Sequence, residues 1–458
     1  ARDIAKKPVV EDILARAPFT DLGNAERFAH LHRHSLAWCT ERERWYRFSG
    51  THWVVSSTAA AQRASHATAR SMVQAAAKVK DAERAEALLE HARRSESRAR
   101  LAAMREEAAS LLAVQTSTFD QSPSLLNCPN GTLDLETGEL REHKPGDWLT
   151  QITDTPFDPA AECPTWHRFL SEVFEGDGDL IAWVQRAAGY SLVGDTSEQV
   201  LMVLLGGGSN GKTTFLEALR GVFGSYAKQA NFSTFLAGRS RGPRGDLVRL
   251  LGARFVTAAE SNMDECLDEA MVKSITGGER ITARPLYGSE LEFRPTFKIW
   301  LATNHPPRVR GRDHGIWRRM RVVRFNLRLD DDQIDRTLPE RLAHERAGIL
   351  NWALEGHAAW KTRGLGTCAS LRSAVEGWRT ISDVLSGFFH DVCERGPGFE
   401  VRKKVLREAY VDWCAENTVE PLNLRQWPRE VQASGIEQRR ATAGEHRWVG
   451  IRLREDRG

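Results

Sequence analysis

The chain reads as an α/β protein whose core is a parallel sheet with helices on both faces. Three observations carry that expectation. Residues 200–206, VLMVLLG, are an unbroken apolar run, the pattern of a strand covered on both sides rather than half exposed. Two further apolar runs follow, ARFVTAAE (253–260) and FKIWLATN (297–304), with helical sequence such as TFLEALRGVFG (214–224) placed between strands. Strand and helix alternating in this way argue for a sheet sandwiched by helices.

Composition sets the frame around that core. A length of 458 residues leaves room for about three domains at roughly 150 residues each. Lysine and arginine number 64 against 61 acids, so the net charge of +3 excludes a uniformly basic or a polyanionic chain. Hydrophobic residues at 41% and charged residues at 27% suit a folded protein and exclude general disorder. No apolar run reaches the length of a membrane span, so no membrane partner is expected. The N-terminus has no apolar signal core. The seven cysteines form no C-x-x-C pair, so each reads as a small buried hydrophobe in a reducing, cytoplasmic setting. The chain starts with alanine, which reads as a piece of a longer protein.

In chain order, residues 19–39 look helical, and RWYRFSGTHWVV (44–55) reads as a hairpin turning at Ser49-Gly50. No proline or glycine occurs from Ala59 to Val114, and this Ala/Arg/Glu-rich stretch reads as long helices. The turn signals Asn130-Gly131 and Thr137-Gly138 separate short strands, and residues 158–198 read as two short helices. Beyond Gly364, helices at 382–393, 403–417 and 424–435 precede a hairpin at 437–453. Three helices and a hairpin of this size suggest a winged helix, and Arg425, Arg429, Arg439, Arg440, Arg447 and Arg452 make DNA contact its functional reading.

The sharpest motif follows the first apolar strand. Gly206-Gly207-Gly208-Ser209-Asn210-Gly211-Lys212-Thr213 matches G-x-x-x-x-G-K-[ST], and Thr214 continues it into a helix. Glycines let backbone N–H groups converge on phosphate oxygens, and the helix N-terminus adds positive potential. Lys212 is expected to reach the β- and γ-phosphates of ATP, and Thr213 to offer its hydroxyl to Mg²⁺. Glu260, ending the second strand, is expected beside this cradle if its strand neighbours the first, as a metal or water ligand, with Asp264 and Glu265 as helpers. Asn304, ending the third, can hydrogen-bond the γ-phosphate and an attacking water. From His305 to Arg328 there are eight arginines and one aspartate, a local +7. Within it Arg318 and Arg319 are candidate arginine fingers acting from a neighbouring subunit. ITARPLYGSELEFRP (281–295) reads as a second hairpin.

These motifs, in this order, resemble superfamily 3 helicases, in particular the phage and plasmid primase–helicase family. GGGSNGKTT looks like Walker A, RFVTAAES like Walker B, residues 273–287 like the motif between Walker B and sensor 1, FKIWLATNHPP like sensor 1, and GIWRR like the finger segment. The segment from NGTLDLETGEL to GYSLVGDTSEQ is similar to the family's helicase-associated N-terminal domain. The resemblance implies an AAA+ P-loop ATPase core and a homo-oligomer, usually a hexameric ring with ATP at subunit interfaces. It also implies translocation on single-stranded DNA, typically 3′ to 5′, at a forked duplex in a bacterial or phage-infected cell. Residues 281–293 become the pore hairpin, with Tyr287 near its tip and Lys273, Arg280 and Arg284 as DNA contacts. The chain departs from relatives with two adjacent acids at Walker B, since Ala259 precedes a single Glu260. No primase site is apparent, so a priming or polymerase domain is expected upstream.

The expected organisation is therefore 1–118, a hairpin with long helices, mostly α; 119–190, the helicase-associated domain; 191–364, the ATPase core; and 365–458, the winged helix. The leading functional expectation is an ATP-dependent DNA helicase. Its competitors are a non-translocating AAA+ remodelling, initiator or defence ATPase, and a P-loop kinase.

Overall fold

The computed structural model describes residues 10–237, 244–259, 266–284, 290–307, 309, 314–330, 332–382, 384–417, 419, 421–440 and 446–454. Glu260, Asp264, Glu265 and Tyr287 lie outside the described residues, as do Arg308, Arg310 and Arg312.

Five strands form the central sheet: β1 (Leu201–Leu205), β2 (Ala227–Asn231), β3 (Phe255–Ala259), β4 (Lys298–Thr303) and β5 (Met320–Arg324). Their order is β5-β1-β4-β3-β2, and every neighbouring pair is parallel. The three apolar runs are β1, β3 and β4, the inner strands. The two edge strands are not apparent in the sequence pattern. β2 is Ala-Lys-Gln-Ala-Asn, polar because an edge strand needs little burial, and β5 hides among arginines that alternate with buried Met320 and Val322.

Side chains alternate across this sheet as a period of two requires. Met202, Leu204, Phe255, Trp300 and Val323 pack into one core with residues of the helices Pro164–Val173, Gly178–Ser191, Lys212–Phe223 and Arg346–Arg363. Leu201, Val203, Val256, Ile299 and Val322 pack into another with the helices Glu269–Gly277 and Ala369–Ser382. Both faces are covered, which is why the inner strands are apolar throughout.

Upstream, the helices Asp21–His32, Thr58–Ala76, Ala82–Ser95 and Arg98–Leu111 share a core built on Phe28, Met72, Leu88 and Met104. Thr20, Asp81 and Ser97 cap three of them with side-chain oxygens. The expected hairpin forms between Arg44–Phe48 and Trp53–Val55. Leu36–Cys39, read from the sequence as helical, is a strand, because it pairs with both Arg44–Phe48 and Ala113–Val114. Buried Asn127 donates to the carbonyls of Thr51 and Gln151, both at 3.1 Å. The rings of Trp53 and Trp148 stack at 4.6 Å. These contacts join residues on either side of position 118.

At the C-terminal end the order is helix Val384–Val392, strand Cys393–Arg402, helices Lys403–Glu416 and Gln426–Ala433, and the hairpin Glu437–Arg440 with His446–Leu453. The strand Cys393–Arg402 is a finding beyond the sequence reading. It contains Gly396-Pro397-Gly398, and its register shifts between Arg395 and Glu400, so the bulge absorbs the proline that a regular ladder would reject.

All seven cysteines are free thiols and six are buried. Burial pushes the Cys163 and Cys393 thiols up to about 12, so they stay protonated and inert. No helix among the described residues is long and apolar enough to cross a membrane.

Candidate functional site

The loop between β1 and the helix Lys212–Phe223 is held by its own sequence. A Cβ on Gly206 would come within 2.3 Å of the Phe325 carbonyl oxygen, so only glycine fits there. Gly211 has φ +87°, and a Cβ on it would sit 2.9 Å from Val173 and 3.2 Å from the Phe169 ring. Gly207 and Gly208 differ, since nothing lies within 4 Å of a Cβ at either. The fold does not require glycine at those two positions, and the missing side chains leave the backbone there open to close approach. Asn210, 3% exposed, donates to the Phe325 carbonyl at 3.2 Å and so ties the loop to the end of β5.

Lys212, 7% exposed, turns its ammonium back over the loop. It donates to the carbonyl oxygens of Gly206 and Gly207, to Asn210 Oδ1 at 3.1 Å and to Asn304 Oδ1 at 3.2 Å. Burial lowers its pKa. All four acceptors are neutral, so an anion seated on the loop would form the stronger, charge-assisted bond. Asn304 reaches this point because β4 is the strand beside β1, with Thr303 opposite Leu205. Thr213 lies exposed in the first helical turn, and Thr214 is half-buried behind it.

The same topology corrects one expectation. The strand that ends just before Glu260, β3, does not neighbour β1, because β4 lies between them. With strands about 4.8 Å apart, the end of β3 stands roughly 10 Å from that of β1. The condition that would have put Glu260 directly beside the cradle is not met.

Beside the loop is a cavity of about 550 Å³, lined among others by Phe174, Glu175, Asp177, Arg324, Asn326 and Ser370. Hydrogen bonds from Ser370 and the Leu180 N–H hold the Asp177 carboxyl below its usual range. The sequence reading missed these residues. They come from three distant segments, and only the packing of Val173 on Gly211 and of Asn210 on Phe325 brings them to the loop. Asn210, inside the motif, was the one available signal.

Arg318 and Arg319 lie at the other end of the sheet. They precede β5, and Met320 pairs with Leu201, the first residue of β1. The length of β1 puts them roughly 15 Å from the loop at about 3.3 Å per residue, beyond reach of phosphate bound to the same chain. The two differ in setting. Arg318 is exposed and donates to Gln199 Oε1 at 2.6 Å. Arg319 is 8% exposed and donates to Thr276 Oγ1 at 3.1 Å, to the Gly315 carbonyl and to Gln199 Oε1 at 3.4 Å. The structure therefore commits the Arg319 guanidinium to its own chain and leaves Arg318 at the surface.

The expected second hairpin is present as the antiparallel pair Ile281–Ala283 and Leu291–Phe293, its tip outside the described residues. Arg280 is exposed and pairs with Glu292 at 3.2 Å, Arg284 is exposed, and Lys273 is half-buried on the preceding helix. Among the described residues no cluster of three or more His, Cys, Asp or Glu could hold a metal.

Comparison with known proteins places these features. A family described as "D5 N terminal like" matches residues 25–175, and "Family of unknown function (DUF5906)" matches residues 204–319. A putative primase of African swine fever virus is 29% identical over 331 residues, covering 66% of this chain and 34% of that protein. A putative helicase of Acanthamoeba polyphaga mimivirus is 25% identical over 299 residues, covering 60% of this chain and 31% of that protein. The chain is related to viral proteins of the primase and helicase type. It spans about a third of the length of these relatives. Its fold is that of the C-terminal region of NrS-1 in the apo state, with TM-score 0.53 over 94% of this chain and 99% of that one, at 10% identity.

Proposed function

We propose that this chain is the motor part of an ATP-dependent DNA helicase of superfamily 3 type, with an AAA+ core and a C-terminal winged helix. The observation that carries the reading is the Lys212 ammonium, gathered over a glycine loop by neutral oxygens and touched by Asn304 from the adjacent strand. In this reading the loop N–H groups and the N-terminus of the helix Lys212–Phe223 receive the phosphates of ATP. Lys212 exchanges carbonyl oxygens for the β- and γ-phosphates, and Asn304 orients the γ-phosphate and the attacking water. The cavity of Asp177, Arg324, Asn326 and Ser370 takes the base and ribose. Thr213 holds Mg²⁺, which when bound neutralises charge on the phosphate oxygens. Glu260 keeps the role of polarising the water, a task that suits a carboxylate set one strand further away.

Because Arg318 sits at the far end of the sheet, charge on the transferring phosphate is met by Arg318 of a neighbouring subunit. That division suits a closed ring of subunits, expected to be hexameric. Lys273, Arg280, Arg284 and Tyr287 contact single-stranded DNA, and a primase or polymerase domain fused upstream is the proposed companion. The setting proposed is a phage or plasmid replication fork, in the cytoplasm.

The test is hydrolysis by mixed subunits. Lys212→Ala and Arg318→Ala should each lower ATPase kcat by at least about a hundredfold. Mixing the two inactive chains should restore part of the activity, because some interfaces then hold an intact lysine facing an intact arginine. Full activity of Lys212→Ala alone would overturn the reading.

A further inference from the structure

The turn that leads into β1 carries a feature that nucleotide binding does not explain. Gln199 has φ +51°, a left-handed conformation that a non-glycine residue adopts at a cost. Its N–H donates to the Thr196 carbonyl at 3.0 Å, which closes the turn. Its side-chain oxygen accepts from Arg318 at 2.6 Å and from Arg319 at 3.4 Å. One amide oxygen therefore holds two adjacent guanidinium groups.

The surroundings fix that oxygen in place. Glu198, next in line, accepts from Trp360 Nε1 at 2.7 Å and from the Leu365 N–H at 3.0 Å. The Leu201 N–H donates to the Arg319 carbonyl at 2.9 Å. Thr196 lies so close to Gly278 that a Cβ there would be 2.8 Å from its hydroxyl. Arg319 adds its bond to Thr276 in the last turn of the helix Glu269–Gly277, which runs into the hairpin strand Ile281–Ala283. The turn thus joins the finger segment, the hairpin base and the helix Arg346–Arg363.

We propose that Gln199 is the positioning residue for Arg318: its strained turn aims an amide oxygen that sets the exposed guanidinium for the neighbouring subunit's nucleotide, while Arg319 anchors the same edge. The proposal rests on the reading that Arg318 acts across a subunit interface. A neutral acceptor suits the task, since it orients the guanidinium without cancelling the charge needed at the phosphate. A carboxylate at the same place would cancel it.

The experiment compares Gln199→Gly, Gln199→Glu and Arg318→Ala in the full chain, measuring kcat and KM for ATP with Mg²⁺ and the thermal midpoint. Glycine adopts φ +51° without strain, so Gln199→Gly folds and its midpoint rises or holds. Its kcat should nevertheless fall about tenfold with KM unchanged, the split expected when an interaction made only in the transition state is lost. Gln199→Glu should lower kcat further by pairing with Arg318. If Gln199→Gly or Gln199→Glu keeps full kcat, or if only KM moves, while Arg318→Ala is inactive, the positioning role is overturned and the arginine's role stands. If Arg318→Ala itself keeps full kcat, the trans-arginine reading fails and the proposal with it.

Discussion

Four glycine-rich positions illustrate how residue-level geometry separates folding from function. Gly206 and Gly211 are required by the protein itself, one by the Phe325 carbonyl and the other by a left-handed φ against Val173. Gly207 and Gly208 face nothing. Gly206→Ala is therefore expected to destabilise the fold by about 1–3 kcal/mol through overpacking. Gly208→Ala should leave the unfolding free energy within about 0.5 kcal/mol of wild type, as open-surface substitutions do, while weakening ATP binding. Calorimetric unfolding alongside nucleotide titration checks both. Equal effects on stability would contradict the assignment of Gly208 to ligand approach. At this scale the sequence was informative about identity and silent about partners. The motif makes Lys212 the expected phosphate lysine but does not reveal its bond to Asn304, which depends on β4 lying beside β1. Arg318 and Arg319 look interchangeable in the sequence, and only packing against Thr276 separates them.

Elements were legible in proportion to how uniformly they are buried. The inner strands β1, β3 and β4 announce themselves as apolar runs because helices cover both faces. The edge strands β2 and β5 do not, since pairing on one side leaves room for lysine, glutamine and arginine. The strand Cys393–Arg402 was hidden for another reason: Gly396-Pro397-Gly398 is turn chemistry that here serves as a bulge. In the C-terminal unit the element also reorders the basic residues. Arg439 pairs with Glu400 at 3.2 Å, Arg447 with the same carboxylate at 3.6 Å, and Arg452 with Glu394 at 2.7 Å. Arg425, Arg429 and Arg440 are exposed. If this unit binds duplex DNA as a winged helix, Arg429→Glu and Arg440→Glu should each cut affinity about tenfold and lower the salt slope by about 1. Arg439→Glu, starting from a shared ion pair, should cost less. Fluorescence anisotropy on a duplex at several salt concentrations makes the comparison, and equal losses at all three sites would contradict the structural ranking.

For the whole molecule, the sheet order has the largest consequence. Because all five strands run in one direction, the glycine loop and Asn304 share one end, and Arg318 and Arg319 lie at the other. A chain built this way cannot reach its own glycine loop with Arg318, and in the proposed function a second copy supplies that arginine. The net charge of +3 conceals the local +7 between His305 and Arg328, which spans both ends of the sheet. Burial at the lower end is maintained by two cations. Arg254 donates to the carbonyls of Leu192 and Leu125, and Lys298 to those of Val193 and Asp195. These bonds seat β3 and β4 on the segment 122–125 and on residues 192–195, which lead into the turn of Gln199, so the upstream segment is bonded directly to the central sheet. None of that was visible as a pattern, because a buried lysine and arginine look like surface charge until their acceptors are known.

The measurement that tests the central claim most directly is strand displacement on a duplex with a single-stranded tail, followed with ATP and Mg²⁺. The wild-type chain should separate the strands only with hydrolysable ATP, and Lys212→Ala should separate none. Hydrolysis without any displacement would reduce the protein to a non-translocating ATPase, and displacement that survives Lys212→Ala would contradict the account altogether.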